Sequence, residues 1–136
     1  MNNHTTIVLV SALIRDKYNN ILLLKRSTQN SSFKGCWQLP EGKLEFGEQA
    51  KDALAREIKE EIGLKLKKSH LSGVYSCPVK VNKKDYFLVR VVYEAKCSGK
   101  IKLDKEHSLA EWFTITDVLS LKPKIKGLDQ VLKNID

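Results

Sequence analysis

Between Glu48 and Ile62 apolar residues recur at helical spacing, and Gly63 stands where a C-terminal cap glycine belongs. Taken at about 100° per residue, Ala50, Leu54, Ile58 and Ile62 line one stripe. A helix carrying such a stripe must bury it, so this segment demands a packed partner, most simply a sheet. The acids of the segment are oddly placed. Glu57 falls between Ala53 and Ala50 on the wheel, and Glu61 between Ala50 and Leu54, at the sheltered margin of the apolar face. Glu60 lies beside Ala53 on the same flank, whereas Asp52, Arg56 and Lys59 point outward.

That arrangement costs stability. Glu57 and Glu61 are one helical turn apart, and like charges there repel by a few tenths of a kcal/mol even when exposed. Partial burial raises the penalty unless a cation compensates, and the C-terminal end of the helix dipole disfavours anions. A solvated charge run would not be built this way. The simplest compensation is a hard divalent cation on oxygen ligands, Mg²⁺ in the first instance. His4, His70 and His107 are dispersed and read as surface or packing residues, so zinc and copper fit poorly.

The rest of the chain frames this helix. At 136 residues, with 42% hydrophobic and 29% charged residues, it suits one globular domain, residues 1–136. "TTIVLVSALIRD" is apolar on both faces and reads as a buried strand; "KYNN" then suggests a turn into "ILLLKR", giving an expected hairpin from Thr6 to Arg26. "CWQLP" is a short extended piece, "LSGVYSCPVKV" and "DYFLVRVVYEAKC" are strand-like, and "AEWFTI" is a short strand. Thr116 is placed to cap "DVLSLK", and "GLDQVLKNID" forms a last short helix. A mixed α/β (α+β) class follows. The N-terminal segment has no basic leader and no run reaches a membrane span; Cys36, Cys77 and Cys97 form no paired motif. These features lead to an expected cytoplasmic protein with free thiols. The formal net charge of +8 suits a polyanion, but the lysines lack the interleaved aromatics of a nucleic-acid stripe.

Gly42, then five residues, Glu48, then seven residues and "REIKEEIGL" from Arg56 to Leu64 resembles the complete signature of the Nudix hydrolases, the MutT-like pyrophosphohydrolases. Nine specified positions over residues 42–64 are filled, including Ile58, Gly63 and Leu64. The surroundings agree over nearly the whole chain, with "GCWQLPEGKLEFGE" before the helix and "EHSLAEWF" after it. The resemblance implies an α/β/α sandwich with a mixed β-sheet between helices. It implies Mg²⁺ or Mn²⁺ held by Glu57, Glu60 and Glu61, with the Gly42 carbonyl completing the shell. Arg56 would hold the signature glutamates in position, and Glu48 would support the loop or the metal site. Glu106 is a candidate extra ligand or general base; an ordinary loop glutamate is the alternative.

The activity implied is hydrolysis of a phosphoanhydride in a nucleoside diphosphate linked to a further group X. Glu57 or Glu106 would take the proton of the attacking water. Lys25 and Arg26 are candidate phosphate contacts, and Phe33 or Trp37 a candidate base-stacking surface; each also reads as ordinary surface or core. "LPEGKLEFGE" looks more like enzymes acting on nucleoside triphosphates, including oxidised or non-standard ones. Pro78 lies near a position where ADP-ribose-cleaving relatives carry proline, although a strand-breaking proline explains it as well. Dinucleoside polyphosphates, a non-catalytic nucleotide sensor and, on the positive charge alone, a nucleic-acid-binding protein or RNA decapping enzyme are the remaining alternatives. Glu41 departs from the pattern, standing where many relatives have a second glycine. The expected partner is a small nucleotide, neither a membrane nor a nucleic acid, and a homodimer stays open.

Overall fold

The computed structural model describes residues 3–29 and 32–135. Seven strands and three helices follow in the order β1 (His4–Ile14), β2 (Ile21–Arg26), β3 (Trp37–Gln38), β4 (Glu41–Lys43), α1 (Ala50–Ile62), β5 (Lys65–Val81), β6 (Lys84–Ser98), β7 (His107–Phe113), α2 (Ile115–Ser120) and α3 (Leu128–Leu132). One sheet runs β4-β1-β6-β5 and the other β3-β2-β7. Strand β1 lies parallel to β6, from His4 opposite Asp85 to Ile14 opposite Ala95, and antiparallel to β4 through Ser11 opposite Glu41. The first sheet is therefore mixed.

The period-2 alternation of β1 and β2 divides the core into two layers. Val10, Ala12, Ile14, Leu22 and Leu24 face Ala53, Leu54, Ile58 and Ile62 of α1. Leu13, Ile21 and Leu23 point the opposite way, toward Val118 of α2 and Leu128, Val131 and Leu132 of α3. Strands buried on both faces read as continuous apolar runs, which is how "IVLVSALI" reads. The expected α/β/α sandwich is found. Helix α1 ends as its sequence predicts: Gly63 takes φ 70° and donates its N–H to the Lys59 carbonyl, a left-handed cap that favours glycine.

Three local expectations are corrected. The hairpin from Thr6 to Arg26 does not form, because β1 and β2 belong to different sheets and, among the described residues, pair as strands only at the isolated Arg15–Ile21 bridge. The turn is real, but both partners of β1 are distant in sequence. Thr114, rather than Thr116, caps α2, its hydroxyl accepting the Asp117 N–H at 3.1 Å. Pro78 does not break its strand; β5 continues to Val81 and, as an edge strand, tolerates the missing donor. No helix among the described residues is long and apolar enough to cross a membrane.

Candidate active site

The acidic margin of α1 opens onto a cleft of about 550 Å³ whose lining includes residues of β1, β4, α1, β5 and β6. Gly42, Arg56, Glu57, Glu60, Glu61 and Glu106 meet there, and Arg26 and Phe33 line the same space. Ile7, Leu9, Val79, Val81, Tyr86 and Leu88 supply apolar wall. Helical spacing alone aims the acids: Glu57 and Glu61 border the buried stripe, while Glu60 swings outward, its side chain 60% exposed against 13% for Glu57.

Arg56 ties this end of the cleft together. Its Nε and Nη2 donate to the two oxygens of Glu48 at 2.8 and 2.9 Å, a fork-to-fork geometry that lysine could not reproduce. Nη1 reaches Glu57 Oε1 at 2.7 Å and Glu60 Oε2 at 3.3 Å, and Nη2 also donates to the Lys43 carbonyl. The Arg56 hydrogen bonds hold the Glu48 carboxyl down at about 2. Burial pushes Glu57 up, against the pull of Arg56. Burial pushes Glu61 well above the usual carboxylate range, reinforced by the charge of Glu57 and, more weakly, of Glu41 and Asp104.

Glu61 is the exposed nerve of the arrangement. Only 6% of it is accessible, and its Oε1 accepts the Glu41 main-chain N–H at 2.9 Å. Among the described residues no ammonium or guanidinium forms an ion pair with it. A buried carboxylate so placed, beside a second one, is short of positive charge. The donors of Glu57, Glu60 and Glu61 are all oxygen, the set that suits Mg²⁺ or Mn²⁺, so these residues fit a hard divalent ion. Gly42 leaves the room they need, since a Cβ there would run into the Glu57 carboxylate.

Residues outside the sequence-derived set join them. A carboxylate oxygen of Glu61, one of Asp104 and a ring nitrogen of His107 lie within 4.8 Å of one another. Asp104 donates its N–H to the Glu61 carbonyl, and His107 Nδ1 lies 2.7 Å from Asp104 Oδ1. His107 is thus a buried neighbour of the acids, and its Nε2 has no hydrogen-bond partner. The only hint in the sequence is its place after Glu106 at the start of a strand; Asp104 gives none. Trp37 and Lys25 lie elsewhere. Trp37 is buried in the second core layer, packed edge-on against Phe113 with centroids 5.1 Å apart, and Lys25 sits over its ring at 5.7 Å. Arg26 is braced by the Ser32 carbonyl and Gln38 Oε1.

The description "NUDIX domain" matches residues 5–135. The chain belongs to the NUDIX family. An ADP-ribose pyrophosphatase of Methanocaldococcus jannaschii is 38% identical over 108 residues, 79% of this chain and 62% of that protein. A MutT NUDIX hydrolase from Burkholderia pseudomallei superposes with a TM-score of 0.80 at 27% identity, covering 97% of this chain and 99% of its own. A MutT protein from Methanosarcina mazei gives the same TM-score at 24% identity over 98% of this chain and 94% of its own, a likeness of fold. The NUDIX chain described here thus spans less than two thirds of its M. jannaschii relative but nearly the full length of the two solved structures.

Proposed function

We propose that this NUDIX chain hydrolyses a phosphoanhydride bond of a nucleoside diphosphate derivative with Mg²⁺ or Mn²⁺, a nucleoside triphosphate in the first instance. The observation that carries the reading is the buried Glu61, with no cationic partner among the described residues, one helical turn from the half-buried Glu57, whose one guanidinium, Arg56, is shared with Glu48 and Glu60, on the wall of a cleft that also has an apolar wall. Such a cleft suits a ligand with polyanionic and planar apolar parts. Glu57, Glu60 and Glu61 would hold the ion, together with the Gly42 carbonyl. When bound, the ion supplies charge neutralisation at the phosphates and a more acidic water.

The protein's own groups do the rest. Arg56 Nη1 engages Glu57 Oε1, which leaves Oε2 to accept the proton of the attacking water. Burial raises the basicity of that carboxylate, the direction that general-base work calls for. Glu106 lines the same cleft and is the alternative base. Arg26 stands at the cleft wall where a phosphate or ribose could reach it. ADP-ribose is the second substrate reading, supported by the M. jannaschii relative.

A hydrolysis screen over nucleoside triphosphates, ADP-ribose and dinucleoside polyphosphates, with Mg²⁺ and with chelator, tests the proposal. The expected result is ion-dependent release of phosphate or pyrophosphate from a triphosphate, lost by roughly a hundredfold or more in Glu57→Gln. Turnover of ADP-ribose alone would transfer the assignment to the second reading. No ion-dependent turnover of any of them would defeat both.

A further inference from the structure

Glu41 presents a further carboxylate to the same cleft, yet both of its oxygens are engaged. Its Oε1 accepts Arg90 Nε at 3.0 Å and the Ser11 hydroxyl at 2.7 Å, while Oε2 accepts Arg90 Nη2 at 3.3 Å. Arg90 is 3% exposed and Glu41 8%, so the pair is shielded from bulk water. The guanidinium has little freedom to leave. Nη1 lies 3.9 Å from Cys77 Sγ, and a Cβ on Gly127 would collide with it. From this clamped position the Glu41 main-chain N–H donates to Glu61 Oε1.

We infer that Arg90 keeps Glu41 out of the ion's coordination shell and so makes Glu41 a positioning residue for Glu61. The inference rests on the metal-dependent reading above. Its physical content is a matter of charge. While the pair is intact the Arg90 guanidinium offsets much of the Glu41 charge at Glu61 and leaves only a weak repulsion, and each half acts strongly when the other is removed, since the pair lies in a region of low dielectric. Glutamate here, where a glycine would leave Arg90 unpaired, is compatible with cation binding only because the guanidinium faces it.

Mn²⁺ binding to the full chain, read from the free-ion signal in electron paramagnetic resonance, decides the matter without reference to turnover. Glu41→Gln leaves the guanidinium uncompensated and should weaken Mn²⁺ binding by roughly threefold or more. Arg90→Met leaves a spare carboxylate and should tighten it by a similar factor. The double variant, Glu41→Gln with Arg90→Met, removes both charges and should return to within about twofold of the parent. If Arg90→Met alone does not fold, the contrast between Glu41→Gln and the double variant still answers the question. A purely architectural role predicts that the double variant binds as weakly as Glu41→Gln or worse. That result, or two single variants moving in the same direction, would overturn the inference. Failure of the parent chain to bind Mn²⁺ would instead overturn the proposed function.

Discussion

At the scale of single residues the site is built from carboxylates that the fold would be better off without. Glu61 illustrates the conflict most sharply. It sits at the edge of a stripe whose other members are apolar, and it receives one main-chain N–H in place of the solvent it lost. Its raised carboxyl means that the ionised form opposes folding at neutral pH. Glu61→Gln keeps the shape and the acceptor for the Glu41 N–H but removes the charge. The ion-free variant should therefore melt roughly 2–4 °C above the parent, the shift expected for about 1 kcal/mol in a chain of this size. Ion-dependent turnover should fall by roughly a hundredfold or more. A variant that melts lower than the parent in chelator would show that Glu61 is a structural acid, and the cost argument would collapse.

At the scale of elements, α1 and β4 face each other closely enough that a Cβ at Gly42 would meet the Glu57 carboxylate. Gly42 is not among the glycines with positive φ, so its requirement is for space rather than for backbone freedom. Gly42→Ala should leave the melting temperature nearly unchanged, because the obstructing group is the far end of the Glu57 side chain. The same change should lower kcat by roughly tenfold to a hundredfold through misplacement of that carboxylate, as steady-state kinetics and a thermal melt together would show. An unaltered kcat would remove Gly42 from the site. The contrast with α1 itself explains which elements could be read in advance. The helix, its sheltered acids and its Gly63 cap follow from local periodicity, and the structure returns them within two residues. The β1–β2 hairpin failed because "KYNN" encodes a turn but not a partner, and the partners of β1 lie in β4 and β6. Trp37 could not be told from a surface aromatic until β2 and β3 paired and drew it under Phe113. The Glu41–Arg90 contact, 49 positions apart, leaves no local trace, and neither does the approach of Asp104 to Glu61.

For the molecule as a whole, the proposed ion binding would couple to stability through those same carboxylates, and the coupling would have a definite sign. Glu57 and Glu61 are raised in the folded state, so their unfavourable charge is fully present above their folded values and is relieved as pH falls through them. Glu48, held at about 2 by Arg56, works in reverse: its contribution is complete above the ordinary carboxylate range and is lost only as pH falls from there toward about 2. Between the two regimes, in mildly acidic solution, the ion-free chain should gain stability relative to pH 8. A bound ion must displace the proton from Glu61 in that range, so its stabilisation shrinks just where the apo protein improves. Saturation at a hundred times the dissociation constant adds about 2.7 kcal/mol, and that increment should be available at pH 8 but largely missing near pH 5 at the same Mg²⁺ concentration. Thermal melts in Mg²⁺ and in chelator at both pH values measure it as a difference. The growing positive charge of a basic chain at low pH affects both arms and cancels. Equal Mg²⁺-induced shifts at pH 5 and pH 8 would mean that the ion binds to groups other than the raised glutamates of α1.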